Sequence, residues 1–263
     1  MEILVCVKQV PDDSVKIGLN ASGVPAVDGV TMVANAFDTY ALEMATRLKE
    51  TNEGTITVVS IGSEKAKDAL KSCLAVGASK AYLVSEDGLG EMDSLTTGYV
   101  LSKAVAKIEE INGSKFDIVF CGKETTDCTT GMVGAELADR LGVGCVAGIV
   151  DIELKDGGIS TKQETEEGYN TVETAIPAVV TVNKPEYDPR YPTMKSKMAA
   201  RKIPIETLTG ADLGLEADKL VPAVKVTGLS EPPKKQAGVK INEKTLEETM
   251  AKAMEILKEA KVF

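Results

Sequence analysis

The chain of 263 residues contains no histidine and no tryptophan, and aromatic residues make up only 4% of it. The missing histidine excludes Ser-His-Asp and Cys-His catalysis and removes the commonest metal ligand. Scarce aromatics leave little on which nucleic-acid bases can stack. The five cysteines, Cys6, Cys73, Cys121, Cys128 and Cys145, include no CxxC pair, so neither a zinc ribbon nor a thioredoxin-type motif is present. An odd, scattered set suits a reducing compartment, with most of them acting as small apolar core residues. Basic residues are outnumbered: net charge is −10 and the pI about 4.8. Nucleic acid is therefore not an expected partner, because such binding rests on phosphate neutralisation by Lys and Arg. No apolar run approaches the roughly 20 residues of a membrane span, and no membrane partner is expected. The opening MEILVCVKQVPDD reads as a strand rather than as a basic region and apolar core of a signal peptide. The expected compartment is the cytoplasm. Any redox or group-transfer chemistry must come from a cofactor, with no covalent catalysis by the chain.

What is present is α/β patterning. The apolar runs EILVCV (2–7), TITVVSI (55–61), KAYLV (80–84) and FDIVFC (116–121) fit strands buried on both faces of a parallel sheet. Helical patterns separate them at NAFDTYALEMATRLKE (35–50), 64–76, 94–111 and 131–141. In the first helix Asp38 is the expected N-cap, Glu43 and Arg47 an i,i+4 pair, and Tyr40, Ala41, Met44, Ala45 and Leu48 one apolar face. Residues 18–31 read as a small excursion or hairpin. The alternation predicts a doubly wound, mostly parallel sheet of Rossmann-like type. Segments 146–154, 159–165 and 171–182 predict an added antiparallel edge, with DGG (156–158) as a turn. Residues 1–208 are then one nucleotide-binding domain. Residues 209–263 form an irregular arm ending in a helix over 242–261, with Asn242 as the expected N-cap.

Ligands of such sheets bind beyond the carboxyl ends of the strands. There the sequence places GKETTDCTTGMVG (122–134): small hydroxyls, one Asp, one Cys and the N–H groups of a helix start. The loop has no Walker lysine and no GxGxxG. A phosphate nest and a simple N-capping loop are both open from position and composition. Cys6–Lys8, Asn35–Asp38 and Ile61-Gly62-Ser63 converge on the same edge. The basic helix KSKMAARK (195–202), with its Pro-rich lead and with Met194 and Met198, fits either a solvated face or a partner-binding loop.

Taken in order, VCVKQVPD (5–12), DGV (28–30), NAFDTYALEMATRLKE (35–50), GASKAYLV (77–84), FCGKETTD (120–127), PAVVTVNKPEYDPRYPTMKSKMAARK (177–202) and PPKKQAGVK (232–240) resemble the β subunit of electron-transfer flavoproteins. The resemblance implies a heterodimer with an α subunit that carries a flavin, and a partner flavin-dependent dehydrogenase. It implies a nucleotide pocket made by Cys6, Lys8, Asn35, Ala36, Phe37, Asp38, Ile61, Gly62 and the loop Gly122, Lys123, Glu124, Thr125, Thr126, Asp127, Cys128, Thr129, Thr130, Gly131, Met132 and Val133. Tyr187, Arg190, Tyr191, Met194, Lys195 and Met198 would dock the dehydrogenase, and the arm from Pro232 would wrap the α subunit. Ordinary carriers of the family hold AMP in this pocket. An electron-bifurcating branch holds FAD, which takes a hydride from NADH and splits the electrons between ferredoxin and the α-subunit flavin. The loop DCTTGMVGAELADRLG is similar to that branch, but Cys128, Thr129 and Ala135 replace its Gly, Asp and Pro.

Overall fold

The structure is a computed structural model that describes residues 1–234 and 237–262. The chain divides into two compact units. One comprises Met1–Ile17 and Pro25–Thr227, and the other joins Gly18–Val24 to Gly228–Phe263. Lys235 and Gln236 of the PPKKQAGVK motif, and Phe263, lie outside the described residues.

The first unit is built on a nine-stranded sheet with a separate strand pair. In chain order its central elements are β1 (Glu2–Cys6), β2 (Gln9–Pro11), β3 (Met32–Ala34), α1 (Ala36–Thr51), β4 (Thr55–Gly62), α2 (Lys67–Leu74), β5 (Lys80–Ser85), α3 (Ser94–Asn112), β6 (Ile118–Gly122) and α4 (Val133–Leu141). Then come β7 (Gly144–Lys155), β8 (Gly158–Thr165), β9 (Gly168–Ala175), β10 (Ala178–Val182), α5 (Met194–Lys202) and β11 (Glu206–Leu208). The large sheet runs β11-β5-β4-β1-β6-β10-β7-β8-β9, parallel except for the β7-β8-β9 meander, while β2 and β3 form a separate antiparallel pair.

Alternate residues of the buried strands feed the two faces, as the period-2 geometry requires. Ile3, Val5, Ile118 and Phe120 pack with α1 and α2; Leu4, Val119 and Cys121 pack with α3 and α4. From β1 the chain winds outward through β4 and β5, then returns to the other side of β1 with β6. The β1/β6 boundary is therefore the switch point of the sheet, the place at which such sheets bind their ligands.

Several expectations shift. Segment 171–182 is two strands, separated at the cis Ile176–Pro177 peptide: β9 is antiparallel, while β10 inserts between β6 and β7 and is parallel to both. Strand β11, with only Leu208 buried, pairs in parallel with β5 just before residue 209 and was not among the expected strands. The main unit reaches Thr227 rather than 208. Leu213 is buried, and the Asp93 carboxylate, which caps α3 through Thr96 N–H, also accepts from Ala223 N–H (2.6 Å) and Val224 N–H (2.9 Å).

In the second unit, α6 (Leu246–Glu259) starts later than expected. Its N-cap is Thr245, whose hydroxyl accepts from Glu248 N–H at 3.2 Å, in place of Asn242. Leu246, Met250, Met254 and Leu257 leave its apolar face exposed. Among the described residues, no helix is long and apolar enough to cross a membrane.

Candidate functional site

At the switch point the chain must satisfy strand-end N–H groups while leaving a crevice open. Asp38 does the first of these. It is buried in the first turn of α1, and its carboxylate accepts from Lys8 N–H (2.7 Å) after β1 and from Gly122 N–H (3.1 Å) ending β6. It is not the N-cap, which is Asn35. Burial pushes the Asp38 carboxyl up to about 7, against the pull of these donors. Gly122 is required because a Cβ there would meet Asp38 Oδ1 at 2.4 Å, Phe37 Cβ at 2.8 Å and Asp38 N at 2.9 Å.

Asn35 holds the loop itself. Fully buried, it donates from Nδ2 to Glu124 O (2.9 Å) and accepts Thr126 N–H on Oδ1 (3.1 Å). Its own N–H donates to Lys8 O at 2.9 Å, so β1, α1 and the 123–132 loop form one assembly. Losing both side-chain bonds leaves buried amide groups unpaired. Asn35→Ala is thus expected to cost about 2 kcal/mol in denaturant unfolding and to loosen nucleotide retention. An unchanged midpoint and an unchanged nucleotide content would contradict this role.

The loop's outer part is polar and accessible. Lys8 Nζ bonds Asp127 Oδ2 at 2.6 Å and lies 3.6 Å from Cys128 Sγ. Burial works to lower the Lys8 ammonium, but Asp127 outweighs it and the net shift is upward. Burial likewise raises Asp127, yet the bond to Lys8 leaves it below its ordinary value. Both side chains see water, so the pair itself contributes under about 1 kcal/mol to stability. Thr129 adopts φ +54°, unusual for a threonine, and Gly131 φ +64°, so the chain turns twice through left-handed backbone just before α4. Thr129, Thr130, Gly131 and Met132 are exposed. Gly134 lets α4 press on β10, where a Cβ would meet Thr181 Cγ2 at 2.4 Å.

The other sequence candidates sit around this assembly. Ala36 and Phe37 occupy the first turn of α1, and Lys123 N–H extends the ladder to Val182 O at 2.8 Å. Ile61 and Gly62 end β4, one strand further along the same edge, and Gln9 Nε2 bonds Lys65 O there at 2.9 Å. The Cys6 thiol is buried on the α3–α4 face, where its bond to Cys121, with burial, pushes the Cys121 thiol well up. Cys6 thus reaches the edge through its main chain.

This donor set suits a nucleotide diphosphate. Thr125, Thr126, Thr129 and Thr130 share one loop that leads into the N–H groups opening α4, with its positive dipole end, and the Lys8 ammonium reaches the same loop at Asp127. Among the described residues no group of three or more potential ligands could hold a metal, and no histidine exists to act as base.

The docking candidates lie apart from the loop. Tyr191 is 92% exposed, Met194 75% and Met198 61%, and Lys195 is also exposed. Tyr187 and Arg190 are instead turned onto α1. The Arg47 guanidinium lies 3.7 Å from the Tyr187 ring centroid, and Arg190 Nε bonds Glu43 Oε2 at 2.8 Å. The expected i,i+4 pair of Glu43 with Arg47 is present, Arg47 Nε bonding Glu43 Oε1 at 2.8 Å, and the Glu43 side chain is buried. The available signal was an acid inside the stretch 41–46, every residue of which is buried.

The family model described as "Electron transfer flavoprotein domain" matches residues 23–213. Among curated relatives, the electron transfer flavoprotein subunit beta of Megasphaera elsdenii is 37% identical over 250 residues, covering 91% of this chain and 90% of the relative. The caffeyl-CoA reductase-Etf complex subunit CarD of Acetobacterium woodii is 33% identical over 268 residues, covering all of both chains. The subunit beta of Bacillus subtilis is 31% identical over 264 residues, again covering both chains completely. With the switch-point loop, the doubly wound sheet and these full-length matches together, the chain belongs to the electron-transfer flavoprotein family, on the side of its β subunits.

Proposed function

We propose that this chain is the β subunit of a heterodimeric electron-transfer flavoprotein and holds FAD at the β1/β6 switch point. FAD would supply hydride acceptance from NADH and delivery of single electrons, one toward ferredoxin and one through the α-subunit flavin to a dehydrogenase. The chain's own residues bind and orient. The 124–133 loop, with Thr129, Thr130 and the N–H groups opening α4, takes the diphosphate. Asn35 and Asp38 keep the loop and the strand ends fixed for the adenosine end. Lys8 offers a cation that a phosphate competes for against Asp127. The observation that carries this reading is the latched, hydroxyl-rich turn at the switch point of a chain that has no histidine.

The partner reading draws on the docking segment and on relatives. The name of one full-length relative places it in a caffeyl-CoA reductase complex, which supports a dehydrogenase or reductase as the protein that Tyr191, Met194 and Met198 meet. The exposed face of α6 supports an arm that packs on an α subunit. A carrier with AMP in the same pocket is favoured by one feature: Cys128, Thr129 and Ala135 depart from the pattern that the bifurcating branch shows at this loop. A non-redox nucleotide sensor sharing only the sheet does not account for a family match over residues 23–213.

The test is an anaerobic titration of the purified heterodimer with NADH. Bleaching of the flavin absorbance without another reductant is expected. A heterodimer that stays oxidised under excess NADH contradicts the hydride-accepting role and favours the AMP-bound carrier.

A further inference from the structure

The segment between β10 and α5, residues 183–193, has no regular structure, yet it carries Tyr187, Arg190 and Tyr191 of the side chains assigned above to docking, the others lying in α5. A loop of that kind ordinarily samples many conformations, and a partner that needs one of them binds more weakly in proportion. Here the loop is bolted to α1. Arg190 donates from its main-chain N–H to Glu43 Oε2 (3.1 Å), from Nε to the same oxygen (2.8 Å) and from Nη2 to Glu43 Oε1 (3.1 Å). Its Nη1 and Nη2 also reach the Glu50 carboxylate one to two turns further along α1. Glu43 has only 3% of its side chain exposed and accepts a further bond from Arg47 Nε at 2.8 Å. Arg47 in turn covers the Tyr187 ring. The fork of Arg190 matches the two carboxylates as a lysine ammonium does not.

The far end of the docking segment is fixed as well. Lys71 of α2 donates to Ala200 O (3.3 Å), Arg201 O (3.4 Å) and Ile203 O (2.6 Å), closing the carbonyl end of α5 with a cation. Between the two anchors stand Tyr191, Met194 and Met198, exposed and unpinned. At its opposite end the same helix α1 holds the nucleotide loop through Asn35 and the ends of β1 and β6 through Asp38.

We propose that Glu43, Glu50 and Arg190 are positioning residues that hold the Tyr187–Met198 segment in its docking form. In this reading Arg190 is spent on α1 and is not a contact for the partner. The inference rests on the reading of that segment as the docking surface. Its consequence is that partner affinity depends on residues the partner never touches, mounted on the helix that also latches the nucleotide loop.

The test uses the heterodimer and a purified acyl-CoA dehydrogenase that the wild type reduces, with hydrogen exchange of residues 184–193 as a second readout. Glu43→Gln is expected to speed exchange in that segment and to raise the KM for the dehydrogenase about tenfold, as when the competent form falls to about one-tenth of the population, with kcat at saturation retained. Glu50→Gln, on an exposed carboxylate, is expected to raise KM about twofold. Arg190→Lys should behave nearly as Glu43→Gln, because it loses the fork. Tyr191→Ala should raise KM with exchange unchanged. Faster exchange with an unchanged KM in Glu43→Gln would overturn the positioning role. If Tyr191→Ala also leaves KM unchanged, the docking surface itself is misplaced, and that failure is separate. Unaltered exchange in both Glu43→Gln and Arg190→Lys would overturn the mount outright.

Discussion

Gly122→Ala is expected to cost the chain about 3 kcal/mol and to strip it of its bound nucleotide, although it adds a single methyl group. The methyl has nowhere to go. Its nearest neighbours are Asp38 Oδ1, Phe37 Cβ and Asp38 N, all under 3.0 Å, and the Asp38 side chain cannot retreat without releasing the N–H groups of Lys8 and Gly122. To admit the methyl, α1 must move off the end of β6, and Asn35 on that helix would carry the 124–126 segment with it. Gly131→Ala provides the contrast. There a Cβ meets nothing nearer than Lys123 O at 3.4 Å, and the cost is the left-handed φ of +64°, about 1 kcal/mol. Denaturant unfolding of both variants, with nucleotide extraction, separates a close-approach glycine from a conformational one. Equal costs for the two would contradict this account of the strand end.

The second large effect is a pH dependence carried by Asp38. Its carboxyl titrates near the ordinary carboxylate value in the unfolded chain but near 7 in the folded one, because burial outweighs the two main-chain donors. Between these values the folded state holds a proton that the unfolded state has lost. Stability from this group is therefore complete below about pH 4 and falls as pH rises toward 7. The full span of about three units corresponds to roughly 4 kcal/mol at most. Other acids oppose it. Asp93, held down to about 2 despite burial by bonds from Thr96, Val224 and Ala223, adds stability that is lost only as pH falls from about 4 toward 2. The Asp38 contribution is isolated by Asp38→Asn, which cannot titrate. The stability of the wild type minus that of Asp38→Asn is expected to shrink steadily from pH 4 to pH 7 and then level off. A constant difference across that range would mean that the Lys8 and Gly122 N–H groups keep the carboxylate charged throughout.

How much of this was legible in the sequence depends on how far apart the partners lie along the chain. Runs such as EILVC, TITVVSI and IVFCG announce buried parallel strands through their own composition, and the crossover rule then brings their carboxyl ends to one edge. The placement of the 122–134 loop at that edge followed from the same geometry. Asp38 was misread because a local rule, acid near a helix start, competes with partners 30 and 84 residues away. Asn242 lost to Thr245 for a related reason: the Thr-x-x-Glu spacing with Glu248 sets the cap, and it lies three residues further on. Strand β10 was fused with β9 because both are extended and β-branched, and only pairing partners distinguish them. The Glu43–Arg47 pair was legible from its i,i+4 spacing, but nothing local shows that Arg190, 147 residues later, folds back onto Glu43 as well.

The most direct test of the central claim is the nucleotide content of the purified heterodimer, released by acid and quantified by chromatography. The account predicts two FAD per heterodimer and no AMP, with the second FAD lost selectively when this chain carries Gly122→Ala. One FAD with one AMP per heterodimer would contradict it, and would leave the 122–134 loop as the cradle of a structural nucleotide.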